Sequence, residues 1–423
     1  MSGEQEHIAI VGAGAAGLMA ARALARARRR VTVIEARMRS GGRIDPLPGT
    51  QFGYAAERGA EFVHGEAPVT RALLREAGLS VQIIAGTQWS FDGATMSRES
   101  RQDPHEGELQ AALAELTDDL TVADFLRRRF GAPQYAQMRR SIERMVEGYD
   151  AADPARASVL ALREEWMGGG EHSQARIVGG YAGLIAFLEA ECRGLGVTFR
   201  FGCEVKAIEQ AGGTISIRSA GADALSCDRV ILTVPLPLLR DIVLPASAGA
   251  VAAAASEIGF GNVIKLLLRF KTAWWREGRP ELADATFLLS EQMIPVWWTQ
   301  YPERHPVLTG WLGGPPTAAL AQFDSNALID AGIASLAAMF SISHDELAAG
   351  LVAAEAVNWA HDRFARGAYS WATPQTRAAQ ARLARGDGRI LVSGEALYRG
   401  RDMGTVEAAL ASGAETAATI LRG

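Results

Sequence analysis

Lysine is nearly absent from this sequence. Of the 43 basic residues in the 423-residue chain, only Lys206, Lys265 and Lys271 are lysines, and the others are arginines. Arginine is planar and always charged, so it replaces lysine at most surface positions but not where a compact, titratable amine is needed. Lys265 is the most conspicuous of the three because it interrupts an apolar run, VIKLLLRF, and we predict that its role is one that arginine cannot fill.

Other absences exclude whole classes of protein. The formal net charge of −5 lacks the basic excess of a nucleic-acid-binding surface. No apolar run reaches the roughly 18 residues of a membrane span, and the N-terminus has no signal-peptide pattern. The cysteines, Cys192, Cys203 and Cys227, form no C-x-x-C pair and are typical of free thiols in a reducing compartment. We expect a cytoplasmic protein with no nucleic-acid partner and no membrane span.

Metal and nucleophile signatures are also missing. No pair of histidines has metal-ligand spacing with a supporting cysteine or carboxylate, so we predict no metal. No G-x-S-x-G element occurs either. With 48% hydrophobic and 22% charged residues, the composition is that of an ordinary globular protein. The length predicts roughly two or three structural units.

The first residues predict a nucleotide-binding βαβ unit. A strand at 7–12, a helix at 13–27 and a strand at 31–36 surround the glycine motif GAGAAG, which fits G-x-G-x-x-G. Gly12 permits the tight turn, Gly14 lets the backbone approach a pyrophosphate, and Gly17 lets the helix and the strand pack closely. Glu35 ends the second strand, where a carboxylate accepts from ribose hydroxyls. In this order the features predict an adenine dinucleotide.

A second pair of glycines follows the unit. Gly41, Gly42 and Arg43 provide another close approach to a phosphate or to the edge of a flavin, which a plain NAD domain does not need. Taken alone, the same three residues are equally typical of a surface turn.

The rest of the chain alternates between helical and extended patterns. We predict helices at 67–80, 106–166, 181–193, 324–340 and 405–421, with a break at 168–170. We predict strands near 197–208, 214–219, 228–234, 263–270 and 389–393. Further strands fall in 285–313, which is rich in tryptophan and includes Trp297, Trp298 and Trp311.

Five blocks in this order resemble the flavin-containing amine oxidases, a family that includes monoamine, polyamine and L-amino-acid oxidases. The first is IVGAGAAGLMAARAL with VTVIEARMRSGGRI and GAEFVHG (59–65). The others are GG (179–180) with EVKAI (204–208) and TVP (233–235), GFGNVIK (259–265) with Phe270 and Trp274, Trp359 with GAYS (367–370), and SGE (393–395) with GTVEAA (404–409) and SG (412–413). Each block is unspecific alone, but together they identify the chain as a member of the family.

The resemblance implies an α/β fold. A doubly wound, Rossmann-like FAD-binding domain would take residues 1–66, 177–262 and 385–423. An inserted α+β substrate domain, a mixed sheet with helices, would take 67–176 and 263–384, with its helical part at about 106–166.

The resemblance also implies the cofactor site. Val205 would hold the adenine through its backbone, Glu395 would lie by the ribityl–pyrophosphate stretch, and the helix near Thr405 would direct N–H groups at the flavin pyrimidine oxygen. Some relatives carry a flavin-linked cysteine before the tyrosine of the fourth block, where this chain has Ala368, so we predict non-covalent FAD. The implied cofactor-binding residues are Gly12, Gly14, Ala16, Gly17, Glu35, Ala36, Arg37, Gly42, Arg43, Gly59, Ala60, Glu61, Phe62, Val205, Val234, Pro235, Gly394, Glu395, Gly404, Thr405 and Val406.

Five residues are implied in catalysis. Lys265 matches the family lysine that reaches flavin N5 through a water and assists reoxidation, although an arbitrary lysine in a strand is more often at a sheet edge with its amine in water. Tyr369 would be one wall of an aromatic cage for the amine. Thr405 stands where many relatives have the opposite aromatic wall, which leaves that wall missing or moves it to another residue such as Trp359. His64, in a stretch similar to one in polyamine oxidases, would line the substrate tunnel or be structural.

These features predict an FAD-dependent amine oxidase. It would transfer a hydride from the carbon beside the amine nitrogen to flavin N5, and O₂ would reoxidise the flavin to give hydrogen peroxide. The alternatives are another FAD oxidoreductase of the same fold, of the protoporphyrinogen oxidase or carotenoid desaturase type, and a non-catalytic flavin-binding module. The sequence leaves open the amine (polyamine, aromatic monoamine, amino acid or cyclic amine), the physiological acceptor, and whether the chain forms a homodimer.

Overall fold

A computed structural model describes residues 5–98, 103–166, 174–385 and 388–422. Its strands are β1 (His7–Val11), β2 (Arg30–Ile34), β3 (Phe62–His64), β4 (Val81–Ile83), β5 (Thr87–Phe91), β6 (Met96–Arg98), β7 (Gln174–Ile177), β8 (Thr198–Arg200), β9 (Val205–Ala211), β10 (Thr214–Ser219), β11 (Ala222–Cys227), β12 (Arg229–Leu232), β13 (Gly259–Gly261), β14 (Val263–Phe270), β15 (Ala285–Leu289), β16 (Val296–Trp298), β17 (Val307–Gly313), β18 (Leu351–Asn358), β19 (Tyr369–Trp371) and β20 (Ile390–Val392).

The helices occur between these strands and close the chain. They are α1 (Ala15–Arg26), α2 (Gly49–Phe52), α3 (Pro68–Glu76), α4 (Glu106–Ala114), α5 (Val122–Arg129), α6 (Ala136–Gly148), α7 (Val159–Trp166), α8 (Ala182–Gly194), α9 (Ala250–Ser256), α10 (Ser325–Phe340), α11 (His344–Gly350), α12 (Thr376–Arg385) and α13 (Val406–Arg422).

A parallel sheet joins the two ends and the middle of the chain. Its order is β20-β12-β1-β2-β8, and all of its strand pairs are parallel. Alternate residues of β1 enter different cores: Ile8 and Ile10 pack with helices α1, α8 and α13, whereas Ala9 and Val11 pack with the β9-β10-β11 sheet and helices α9 and α12. Both faces are covered, as a buried parallel sheet requires. The predicted α/β, Rossmann-like fold is confirmed.

A larger, seven-stranded sheet forms the second part of the fold. Its order is β18-β14-β17-β16-β15-β5-β6, so β14 lies between two hydrogen-bonded neighbours. Helix α10 and the buried tryptophans Trp275 and Trp297 pack with Ile264, Leu266 and Leu268 of β14 on one face. The opposite face of β14 carries Val263, Lys265 and Leu267, as the strand alternation predicts. Lys265 is therefore turned away from the α10 core.

The predicted helical region is confirmed as a group of separate helices. Helices α4 to α7 share one core, in which Leu113, Phe125 and Val146 are buried, and Trp371 of β19 packs into it. The predicted break at 168–170 lies outside the described residues.

The packing differs from the predicted division of the chain at two helices. Helix α3, assigned to the substrate domain, buries Leu73 and Leu74 in the core of the parallel sheet. Helix α12 buries Ala379 and Leu383 against the other face of that sheet. The amphipathic pattern of each helix marks its buried face but does not say which sheet that face meets.

Among the described helices, none is by itself both long enough and apolar enough to cross a bilayer. Helices α10 and α11 satisfy the length and hydropathy criteria only together, and they bend by 118° at the break between them.

Helices α1 and α13 pack closely together in one core of the parallel sheet, and a substitution between them tests that packing. A Cβ on Gly413 would lie 2.3 Å from the carbonyl oxygen of Ala16, whereas a Cβ on the helical Gly107 would meet nothing within 4 Å. We expect Gly413→Ala to lower the free energy of unfolding by about 1–3 kcal/mol, because the helices must move apart. Gly107→Ala, the control, should leave it unchanged or raise it by up to about 1 kcal/mol. Urea unfolding measures both, and equal stabilities would contradict this packing.

Candidate active site

One cavity of about 1800 Å³ reaches both sheets. The glycine turn before α1 lines it, and so do Lys265 and Trp311 of the larger sheet and Tyr369 of β19. Ordinary ligand pockets measure about 300–1,000 Å³, so this one has room for a dinucleotide and a small substrate together.

The glycine turn has its predicted geometry. A Cβ on Gly12 would lie 2.6 Å from Thr233 Oγ1, and a Cβ on Gly17 would lie 2.0 Å from the Gly12 carbonyl oxygen. These two glycines therefore permit close packing. A Cβ on Gly14 would meet only the carbonyl oxygen of Gly41, at 4.0 Å, so Gly14 faces the open side of the turn. A β-bridge joins Gly14 to Gly41 and brings the second glycine pair to the first.

Glu35 ties the turn to the end of β2. Its buried carboxylate accepts hydrogen bonds from the backbone N–H of Ala13 at 2.7 Å and of Arg37 at 2.8 Å. Burial raises the pKa of Glu35, and the two N–H donors oppose that shift. Glu35, Ala36 and Arg37 all line the cavity.

Arg43 and Glu395 bring distant parts of the chain together. Arg43 Nη1 lies 2.8 Å from Glu395 Oε1 and donates to the Ala368 carbonyl oxygen at 2.7 Å. Ser370 Oγ donates to the same Glu395 oxygen at 3.0 Å. The other oxygen, Oε2, is buried without a hydrogen-bond partner among the described residues. An orphaned acceptor beside this cavity fits a hydroxyl-bearing cofactor, since buried acceptors otherwise have partners.

The remaining predicted cofactor residues can be placed in the same way. Gly17 packs beneath the turn. Those that line the cavity are Gly12, Gly14, Ala16, Gly42, Arg43, Gly59, Ala60, Glu61, Phe62, Val205, Val234, Pro235, Gly394, Glu395, Gly404, Thr405 and Val406. Together they fit an adenine dinucleotide bearing a flavin, and their individual contacts with it stay predictions.

Lys265 occupies a central strand rather than a sheet edge. In β14 it pairs with Trp311 on one side and with Val357 on the other, and it is 1% exposed. Its Nζ lies 2.9 Å from Glu61 Oε2 and donates to the Gly59 carbonyl oxygen at 3.1 Å. The common alternative, an edge lysine with its amine in water, is wrong here.

Glu61 lines the cavity and also belongs to an ion-pair network. Its side chain joins an ion-pair network: Oε1 accepts from Arg176 Nε at 2.8 Å and from Trp298 Nε1 at 3.0 Å, while Oε2 meets Lys265. Burial alone would raise the pKa of Glu61, but the charges of Lys265 and Arg176 outweigh it and lower the pKa to about 2. Sequence reasoning found Glu61 but missed both Arg176 and Trp298.

Tyr369 faces an aromatic partner that sequence reasoning did not assign to the site. The rings of Tyr369 and Trp311 are nearly parallel, 19° apart, with centroids separated by 6.4 Å. Tyr369 OH donates to the Tyr149 carbonyl oxygen at 2.6 Å, and Trp311 Nε1 donates to that of Gly148 at 2.7 Å. Two consecutive carbonyls at the end of α6 therefore anchor both rings.

Trp359 and Thr405 have other contacts. Trp359 lines the cavity but is 4% exposed, packs with Val263 and Ala365, and donates to the Arg58 carbonyl oxygen at 3.2 Å. The ring parallel to Tyr369 is that of Trp311 and not that of Trp359, and which residue forms the second wall of a cage stays a prediction. The Thr405 hydroxyl accepts from the backbone N–H of Ala408 at 3.2 Å, which caps α13.

His64 lies beside Tyr149 on the cavity wall. Its Nδ1 is 3.3 Å from Tyr149 OH, and the rings meet edge to face. Burial lowers the pKa of His64 to about 4, so its imidazole is neutral at physiological pH. A neutral imidazole contributes a hydrogen bond here rather than a positive charge.

Three carboxylates near the aromatic pair were not found from the sequence. Asp150, Glu165 and Asp402 line the cavity. Burial and the charge of Glu165 raise the pKa of Asp150, while burial and the charge of Asp402 raise the pKa of Glu165 to about 7. Neither Asp150 nor Glu165 has an ion-pair partner within the described ranges. No local pattern marks them, because the fold alone brings them together.

Within the part of the chain that the structure describes, no group of three histidine, cysteine or carboxylate side chains is arranged to hold a metal ion.

Two curated relatives resemble this chain in sequence over long segments. It is 25% identical over 309 residues to the probable polyamine oxidase 4 of Arabidopsis thaliana, covering 64% of this chain and 59% of that protein. It is 24% identical over 326 residues to the flavin-containing amine oxidase A of Equus caballus, covering 66% and 59%. The matched part thus spans about 59% of the length of these relatives.

Solved structures share the fold over the whole chain. Putrescine oxidase bound to putrescine superposes with a TM-score of 0.79 at 20% identity, covering 99% of this chain and 100% of that chain. Cyclohexylamine oxidase from Brevibacterium oxydans gives a TM-score of 0.79 at 19% identity, covering 99% of both chains. The family model for flavin containing amine oxidoreductases matches residues 15–421. The chain therefore belongs to the family of flavin containing amine oxidoreductases.

Proposed function

We propose that this enzyme oxidises the C–N bond of a small cationic amine, with non-covalently bound FAD as hydride acceptor and O₂ as final acceptor. The observation that carries the proposal is a single cavity in which the buried Lys265 and the Tyr369–Trp311 pair are continuous with the dinucleotide turn. The alanine at position 368, where some relatives attach their flavin through cysteine, supports non-covalent binding.

The proposed reaction conserves atoms and electrons. Bound FAD supplies the two-electron acceptor. The carbon beside the nitrogen loses a hydride and the nitrogen loses a proton, which leaves an imine. Water adds to the imine and releases a carbonyl compound and the free amine or ammonia. O₂ takes up two electrons and two protons and becomes hydrogen peroxide.

The protein would contribute orientation and polarity. The faces of Tyr369 and Trp311 attract an amine and exclude water from the reacting carbon. Burial raises the pKa of Tyr369 well above its usual value, so its ring stays a neutral phenol. Lys265 presents an ammonium on the opposite wall, where negative charge develops as oxygen is reduced.

Asp150 and Glu165, half-buried and without an ion-pair partner among the described residues, favour a diamine or polyamine. An ionised carboxylate that is partly withdrawn from water without a cation is costly, and a second ammonium on the substrate would neutralise it. Asp150 and Glu165 also raise the pKa of Tyr369 through their charges, which places both near the aromatic pair. The resemblance of the fold to a putrescine oxidase supports the same substrate class.

The first prediction tests the reaction. The purified protein should be yellow, an amine should bleach it without oxygen, and air should restore the colour with release of hydrogen peroxide. Lys265→Met should keep its flavin and its bleaching but slow reoxidation roughly 10- to 100-fold, because a fixed positive charge is lost. Stopped-flow absorbance measures each step. Failure of all polyamines, aryl-alkyl monoamines, amino acids and cyclic amines to bleach the protein would refute the proposal, and bleaching by a porphyrinogen or a carotenoid precursor would favour the rival oxidoreductases.

The second prediction concerns the aromatic pair. Trp311→Ala should lower kcat/KM for an amine by roughly two- to thirtyfold, the range expected from losing a cation–π contact of about 0.5–2 kcal/mol. Trp311→Phe keeps a ring face and should retain most of the activity. Steady-state peroxide assays measure both variants, and an unchanged kcat/KM in Trp311→Ala would remove this ring from the site.

The third prediction concerns pH and substrate charge. Glu165 is neutral below its pKa of about 7 and ionised above it, so KM for 1,4-diaminobutane should fall as pH rises through 7. KM for n-butylamine, which has no second ammonium, should lack the part of this dependence that Glu165 causes. Glu165→Gln should raise the diamine KM about tenfold and flatten its pH dependence.

A neighbouring residue provides the matched control. Glu164→Gln makes the same change at the adjacent position, where the carboxylate pairs with Arg377 at the surface, and should leave both values of KM unchanged. Equal pH dependence for the diamine and the monoamine would contradict a role for Glu165 in binding the second ammonium.

A further inference from the structure

Lys265 has few hydrogen-bond donors left for the cavity. An ammonium has three N–H donors and no acceptor. Two of the three meet fixed partners, Glu61 Oε2 at 2.9 Å and the Gly59 carbonyl oxygen at 3.1 Å. Lys265 also lines the cavity, so one donor remains for it.

Glu61 is itself held on all sides. Its other oxygen accepts from Arg176 Nε at 2.8 Å and from Trp298 Nε1 at 3.0 Å. Arg176 is fixed in turn, because its two terminal nitrogens donate to the carbonyl oxygens of Tyr301 at 3.2 Å and Thr299 at 3.1 Å. The carboxylate therefore has a single orientation, and that orientation determines where the ammonium lies.

We propose that Glu61 is a positioning residue for Lys265. It holds the ammonium so that its last N–H serves the cavity, and it makes Lys265 a fixed hydrogen-bond donor rather than a proton acceptor. The inference rests on the proposed function, because it assigns Lys265 a part in oxygen reduction. A carboxylate of this kind is needed because Lys265 and Arg176 would otherwise be two buried cations in one network.

The charges of the network explain why this arrangement suits the reaction. Two cations share one carboxylate in these ion pairs. Burial raises the pKa of Glu57, a second carboxyl whose charge acts on Lys265, to about 7, so below that pH the network keeps a net positive charge. Oxygen gains negative charge before its protons arrive, and a preoriented cation stabilises that charge without rearrangement. A lysine free to move, or one that has lost its proton, would not provide it.

Three variants test the inference: Glu61→Gln, Lys265→Met and the double variant. In Glu61→Gln the amide places a donor against Lys265 or Arg176, so reoxidation by O₂ should slow about tenfold while flavin stays bound. The double variant should reoxidise no more slowly than Lys265→Met, because Glu61 acts through that residue.

The controls separate this inference from a structural effect and from the proposed function. Glu191→Gln removes a carboxylate from the ion pairs with Arg22 and Arg26, outside the cavity, and should reoxidise as the wild type does. Thermal unfolding and flavin content show whether each variant is folded. If the wild type is bleached by amines but Glu61→Gln reoxidises at the wild-type rate, or if the two single effects multiply in the double variant, the inference is wrong. If no amine bleaches the wild type, the proposed function fails instead.

Discussion

The ion pair between Lys265 and Glu61 is the interaction on which the arrangement of the site depends. A buried cation without a partner costs several kcal/mol, so β14 must dock where a carboxylate can reach it. That carboxylate precedes β3, and Val63 of β3 is buried in the core of the parallel sheet. Arg176 of β7 connects the same two parts: its neighbours Ala175 and Ile177 enter that core, while its own side chain donates to Glu61. The network thus links the larger sheet to the core of the parallel sheet through side chains that tolerate little displacement.

The aromatic pair depends on a second fixed point, the C-terminal end of α6. The carbonyls of Gly148 and Tyr149 accept from Trp311 and Tyr369, which sets the separation of the two rings. A helix C-terminus also carries partial negative charge, and Asp150 follows directly. The same few residues therefore shape the cage and make its surroundings attractive to a cation. A substitution that displaces the C-terminal end of α6 would alter both the geometry and the charge of the site.

Local patterns in the sequence predicted what local physics determines. The glycine turn, β1, α1 and β2 follow from residues within one βαβ unit, and the alternation of β14 placed Lys265 on the same face as Val263 and Leu267. The β5–β6 hairpin was missed although Asp92-Gly93 is a turn signal. Arg176 and Trp298 were missed for another reason: they lie 115 and 237 residues from Glu61, and only the docking of sheets joins them. Trp311 reaches the cage through its register opposite Lys265, which composition does not reveal.

Under the proposed function, the opposite signs of charge at the two walls would determine which way a diamine enters. Asp150 and Glu165 would attract an ammonium, whereas the cations Lys265 and Arg176 would repel one. A dication would therefore be drawn with one end to the carboxylates, and the nitrogen that approaches Lys265 would be favoured in its neutral form. The proposed hydride loss from the adjacent carbon needs that nitrogen's lone pair, so the repulsion would select the reactive protonation state as well as the orientation. Arginine at position 265 would keep the repulsion, but its larger planar head does not fit a site where Glu61, Gly59 and the Trp298 ring already surround a single ammonium.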